Sequence, residues 1–134
     1  MSNEKKKQYL RRYLVAKRCV ALLLEQIESL RENKMSPSGT LDGMPHGSGT
    51  SDLSGYAARL DELMRELEAE REMQMVTYHE IWNQVKKIPN ATEQEVLTRR
   101  YLSGQCWEKI AVEMHYSYRQ IIRIHGAALQ HFSW

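Results

Sequence analysis

Residues 92–132 read TEQEVLTRRYLSGQCWEKIAVEMHYSYRQIIRIHGAALQHF, and the punctuation of this stretch predicts three short helices. Thr92 and Glu95 are spaced as a capping box, in which the hydroxyl and the carboxylate satisfy opening backbone N–H groups, and a helix through about Leu102 follows. Ser103-Gly104 supplies a turn. Gln105–Met114 forms a second helix, with Trp107, Ile110, Ala111 and Met114 on one face. His115-Tyr116 turns the chain again, and Ser117 with Gln120 is another capping box, opening a third helix to about Phe132. At about 100° per residue, Ile121, Ile124, His125, Ala128 and Phe132 gather on one side of that helix. Arg119, Arg123 and Gln130 lie opposite. Three short helices joined this way suggest a helix-turn-helix whose last helix fits a DNA major groove. From Ser117 to Trp134 there are two arginines and no acid, a bias suited to phosphate and guanine contacts.

Upstream of Pro89 the pattern lengthens. Tyr9, Tyr13, Ala16, Val20, Leu23, Ile27 and Leu30 are spaced alternately by four and three, the seam of a coiled-coil helix expected over about 4–32. Leu53, Tyr56, Leu60, Leu63 and Leu67 repeat the pattern, and Tyr78, Ile81, Val85 and Ile88 resume it after a step of 11 residues. That step predicts a local change of winding in a second helix reaching Ile88. Between the two lie residues 33–51, NKMSPSGTLDGMPHGSGTS, whose glycines, prolines and serines make ten of nineteen positions, a flexible connector. The expected fold is therefore all-α. A long antiparallel helical hairpin over 1–88, with its linker at 33–51, precedes a three-helix domain over 89–134. Cys19-Val20-Ala21-Leu22-Leu23-Leu24 is apolar around more of the first helix than one partner covers. Two hairpins packing as a homodimer meet that demand, with Tyr13, Val20, Leu23, Leu24, Ile27 and Leu30 assigned to the interface. A monomer that folds its C-terminal segment onto this face is the alternative.

Composition narrows the function by exclusion. The chain has 134 residues, 42% hydrophobic and 27% charged, and no run approaches the roughly 18 apolar residues of a membrane span. The start, MSNEKKK, lacks the apolar stretch of a secretory signal, so a cytoplasmic location is expected. Cys19 and Cys106 lie far apart without metal-like spacing and are expected to be buried or idle thiols. His79-Glu80 opens like a zinc-protease motif, but its fifth position is Asn83. The glycines of the connector precede no Gly-Lys-Ser/Thr, and His115, His125 and His131 have no ligand spacing. Trp107, Tyr116 and Tyr101 are expected in the small core of the C-terminal domain. Neither enzyme nor metal nor cofactor is predicted. The net charge of +2 is uninformative as a total, yet residues 1–32 carry eight bases and four acids while 52–88 carry five bases and eight acids. Opposite signs suit pairing of the two long helices, each exposed ion pair contributing about 0.2–1 kcal/mol.

Arg100-Tyr101-Leu102, Trp107-Glu108-Lys109-Ile110-Ala111 and Met114 to Ile121, followed by Ile124-His125, resemble the region 4 helix-turn-helix of sigma-70-type factors. More narrowly, they resemble small prophage proteins of Gram-positive bacteria related to the ArpU and RinA late-gene transcription regulators. The hairpin and its connector are similar to that family too. The resemblance implies a transcriptional regulator that binds double-stranded DNA at phage or prophage promoters, reading half-sites as a dimer. It places Tyr118, Arg119, Gln120 and Arg123 at base-reading positions and Ser117 at the N-cap, near a phosphate. Lys109 and Arg100 are weaker candidates for backbone contacts. His115 stands where the family usually has glycine, Arg99 where it usually has an apolar residue, and Gly126 interrupts the third helix. Two other functions fit the same pattern. A small-terminase-like packaging protein would assemble as a ring of eight or more subunits, and a sigma region 4-like module would bind RNA polymerase.

Overall fold

The computed structural model describes residues 1–35 and 49–134, with side chains at 1–33 and 53–134. It is all-α. Its helices are α1 (Asn3–Met35), α2 (Gly49–Val85), α3 (Ala91–Leu97), α4 (Trp107–Met114) and α5 (Tyr118–His131). A π-helical turn, Thr98–Leu102, prolongs α3. Among the described residues there is no strand, and no helix is long and apolar enough to cross a membrane. Most of the connector expected at 33–51 lies outside the described residues, while its two ends, 33–35 and 49–51, belong to α1 and α2.

The chain divides into two compact units. One comprises Met1–Lys17 with Met73–Trp134, the other Arg18–Glu72. In the first, Leu10 of α1, Ile81 and Val85 of α2, Leu97 of α3 and Ala128 and Phe132 of α5 meet in one core. This shared core is why the start of α1 and the end of α2 group with the short helices. In the second unit Val20, Leu23 and Ile27 pack against Leu63 and Leu67. Each such side chain contributes about 1.5–3 kcal/mol on burial.

Burial along α1 follows the expected seam at Ala16, Val20, Leu23 and Ile27. Its first turns differ. Leu10, not Tyr9, is fully buried, because here the helix also faces α3 and α5. Tyr9 is half-buried and stacks on Trp134 with centroids 4.4 Å apart. Lys6 is buried as well, its Nζ donating to the carbonyl of Leu129 at 2.6 Å. A cation there answers the unpaired carbonyls and the negative end of α5.

In α2 the helix is continuous from Gly49 to Val85. Leu63, Leu67, Thr77, Ile81 and Val85 are buried, with Glu70 and Gln74 half-buried between them. Steps of four and three therefore continue through Glu70, Gln74 and Thr77, polar residues that an apolar pattern cannot register, until two successive steps of four lead from Thr77 through Ile81 to Val85. Thr77 rather than Tyr78 lies innermost, while Gln74 Nε2 donates to the Tyr13 hydroxyl at 3.4 Å. The helix stops at Val85, yet Ile88 remains 2% exposed in the turn before Pro89.

The cap of α3 also differs from expectation. Asn90, not Thr92, is the N-cap, its Oδ1 accepting the N–H of Glu93 at 3.0 Å. Buried Glu93 in turn meets Nδ1 of His131, 2.8 Å away at the end of α5. Arg99 is accommodated by ion pairs. It pairs with Glu95 at 2.8 Å and with Glu113 of α4, and the hydrogen bond to Glu95 is the main cause raising its pKa.

Candidate nucleic-acid interface

The connection between α4 and α5 is three residues long, His115 to Ser117, and built by local rules. His115 ends α4 in the left-handed region at φ 60°, ψ 38°. Its N–H reaches the carbonyl of Val112 at 3.3 Å, and the Tyr116 N–H reaches that of Ala111 at 3.0 Å. These two bonds are the Schellman pattern that closes a helix, with histidine at the position glycine usually fills. Histidine is among the non-glycine residues that tolerate this conformation. Ser117 then caps α5 at once. Its Oγ accepts the Gln120 N–H at 3.1 Å while Gln120 Oε1 accepts the Ser117 N–H at 2.8 Å, so the expected capping box is complete.

The inner faces of the two helices fix their mutual orientation. Ile110 and Ala111 of α4, Ile121 of α5 and Val96 of α3 form a small buried cluster, edged by Trp107, Met114 and Ile124. Beside it His125 is 7% exposed, 2.8 Å from the Tyr101 hydroxyl and against the Trp107 ring at 4.6 Å between centroids. Burial, reinforced by the charges of Lys7, Arg100 and Arg11, brings the His125 pKa down to about 4. Burial likewise raises that of Tyr101, so the phenol stays protonated. Tyr101 and Trp107 thus lie in or against the core as the sequence predicts. Tyr116 does not: it is 38% exposed and borders a cleft of about 310 Å³ with Asn90, Glu93, Arg123 and Ile124.

The outer arc carries the candidate residues. Tyr118, Arg119, Gln120 and Arg123 are all exposed on α5, Ser117 is exposed at its start, and Lys109 is exposed on α4. Neither Arg119 nor Arg123 forms an ion pair among the described residues. Arg100 is employed differently. Half-buried, it lies over the Trp107 ring at 4.3 Å and donates to the Gln105 carbonyl at 3.1 Å. Gln120 is partly committed as well, its Oε1 serving the cap while its amide N–H₂ is outside the box. Sequence reasoning overlooked two exposed apolar members of this surface, Val112 and Ile122. Each directly follows a buried residue, Ala111 or Ile121, and the 100° step carries it onto the polar arc.

Of the residues assigned to a dimer interface, Val20, Leu23 and Ile27 are buried against α2 of the same chain. Tyr13 packs edge-on against Tyr78 at 5.2 Å, and Leu30 borders the second core. Leu24 is 42% exposed, and its neighbour Leu22, unassigned from sequence, is 50% exposed. Cys106 is exposed at the N-cap of α4 rather than buried. Among the described residues no three His, Cys, Asp or Glu side chains gather as a metal site.

Gly126 lies inside α5, and a Cβ there would meet nothing within 4 Å. Gly126→Ala is therefore expected to stabilise the protein by about 0.5–1 kcal/mol, since helical glycine loses more backbone entropy than alanine. Urea denaturation of the two proteins checks this, and a variant no more stable than the parent would refute it. No protein-family model, curated protein or solved structure matches the chain.

Proposed function

We propose that the chain is a sequence-specific DNA-binding transcriptional regulator of phage or prophage genes, with α4, the His115-Tyr116 turn and α5 acting as a helix-turn-helix. One observation carries this reading. The closed end of α4 leads directly into the capping box of α5, and packing of Ile110, Ala111 and Ile121 turns Tyr118, Arg119 and Arg123 outward together. An exposed helix face with two arginines and no acid suits entry into a major groove, where Arg reads guanine O6 and N7. Gln120 donates to a base acceptor through its amide N–H₂ without opening the cap, and Ser117 and Lys109 serve the phosphates. Arg100 acts from the edge, steadied on Trp107. The resemblance to sigma region 4 and to prophage late-gene regulators supports the same role.

The long helices form the antiparallel hairpin that carries this head, and a homodimer presents two heads to two half-sites. Because Val20, Leu23 and Ile27 are consumed within the chain, the dimer uses the flanks on which Leu22 and Leu24 stand exposed. Selection of bound duplexes from a random pool tests the reading. It should enrich a site of two half-sites, with affinity falling steeply as salt rises. Absence of duplex binding at low salt would sink it.

The 75% exposure of Val112 on α4, with Ile122 of α5 exposed as well, favours a second reading in which this domain binds RNA polymerase. Polymerase binding that survives alanine at Arg119 and Arg123, in a protein without DNA affinity, would favour that reading over the first.

A further inference from the structure

The first turns of α1 belong to the same compact unit as α4 and α5, and they are strongly basic. Residues 1–17 hold six Lys and Arg against one acid, Glu4. Two of the six have evident structural duties, Lys6 at the end of α5 and Arg12 in an ion pair with Glu80 at 3.1 Å. Lys7 and Arg11 stand one turn apart and share a helix face with Leu14. Leu14 marks where that face lies. Its Cδ2 is 3.3 Å from the position a Cβ would take on Gly104, whose φ of +71° makes the turn into α4. Beside the same turn sits Arg100, held by Trp107 and the Gln105 carbonyl. Leu14 and Arg100 therefore border one loop, with Arg11 one turn and Lys7 two turns before Leu14 on the same helix face, and the charges of all three cations act on His125. Glu4 pairs with Lys7 at 3.1 Å and offsets one charge, but an exposed i,i+3 pair is weak enough for a phosphate to displace.

We propose that Lys7 and Arg11, together with Arg100, form a second cationic surface that grips the phosphate backbone of the duplex, making the start of α1 part of the DNA interface. The proposal rests on the DNA-binding reading given above. Its geometry suits the ligand: four residues of helix rise about 6 Å, close to two base-pair steps of about 3.4 Å. Such contacts add affinity and orientation without sequence preference.

The test compares the full chain with Lys7→Gln/Arg11→Gln, with the charge-keeping Lys7→Arg/Arg11→Lys and with Arg119→Ala/Arg123→Ala. Fluorescence anisotropy follows a selected duplex and a scrambled one from 50 to 200 mM salt. The glutamine variant should weaken both duplexes alike and lower the log–log salt slope by about 1.8, so that the parent's advantage shrinks roughly ten-fold over that range. The charge-keeping variant should retain the parent slope. A glutamine variant whose salt dependence parallels the parent's, or a charge-keeping variant that loses the slope equally, overturns the proposal. If the parent binds and Arg119→Ala/Arg123→Ala abolishes its preference for the selected duplex, such a result condemns the α1 surface alone. A parent that binds neither duplex overturns the DNA reading and this proposal with it.

Discussion

Arg123→Ala is expected to weaken binding to the selected duplex by about 1–3 kcal/mol, and Arg119→Ala combined with it by about 2–6 kcal/mol, enough to erase the preference for that site. The magnitude follows from chemistry that alanine cannot replace. A guanidinium donates two parallel hydrogen bonds to O6 and N7 of one guanine, and its loss leaves both acceptors unpaired in a dehydrated groove. The two arginines are four residues apart on α5 and both exposed, so in the proposed complex they would address neighbouring base pairs from one helix face. Near-additive losses are expected if they contact separate bases. The fold should not suffer, because neither side chain reaches the cluster of Ile110, Ala111 and Ile121 that seats the helix. Anisotropy titrations on the selected duplex and on its single-base variants measure the effect. Base contacts predict altered preference at one position per arginine. An equal loss on every sequence, with the salt slope reduced by about one per arginine, would make them phosphate contacts instead.

Acidification is expected to remove roughly 3 kcal/mol of stability through His125 alone. In the unfolded chain this imidazole protonates near its ordinary value of about 6.5, whereas in the folded chain it remains neutral down to about 4. Between those limits the unfolded state binds more protons, so stability falls as the pH falls. Below about 4 the contribution of this group levels off. Burial is the larger cause, and Lys7, Arg100 and Arg11 add repulsion from α1 and the π-helical turn. Tyr101 and Trp107 enclose the ring and supply no negative charge to compensate. His125→Asn isolates the effect from the other titrating groups. The parent's advantage over this variant, measured by urea denaturation, should shrink by about 2–3 kcal/mol between pH 7 and about pH 4.5. An advantage that stays constant would show an imidazole titrating as freely as an exposed one.

Much of the candidate site was legible because its rules are local. The left-handed residue at His115, the Ser117–Gln120 box and the outward arc of Arg119 and Arg123 each depend on neighbours within a few positions. The same holds for the existence of five helices. Illegible features depend on residues far away in the chain. Asn90, not Thr92, caps α3, and Glu93 of its first turn meets His131 from the far end of the chain. Leu10 replaces Tyr9 in the core because α3 and α5 cover that side of α1. Tyr116, expected inside, faces out, since the buried cluster is already closed by Trp107, Met114 and Ile124.

Spacing and capping residues in the sequence were sufficient to determine an all-α chain of two long and three short helices, and the acid-free face of the last one. That information is carried by backbone hydrogen bonding and a 3.6-residue period, which act over one or two turns. Tertiary structure alone decided that Leu14 of α1 packs at the Gly104 turn beside Arg100, that Arg99 is paired with Glu95 and Glu113, and that Val20, Leu23 and Ile27 are spent within the chain. Such pairings arise from burial of apolar surface, which is non-directional and brings together whatever the folded chain places side by side.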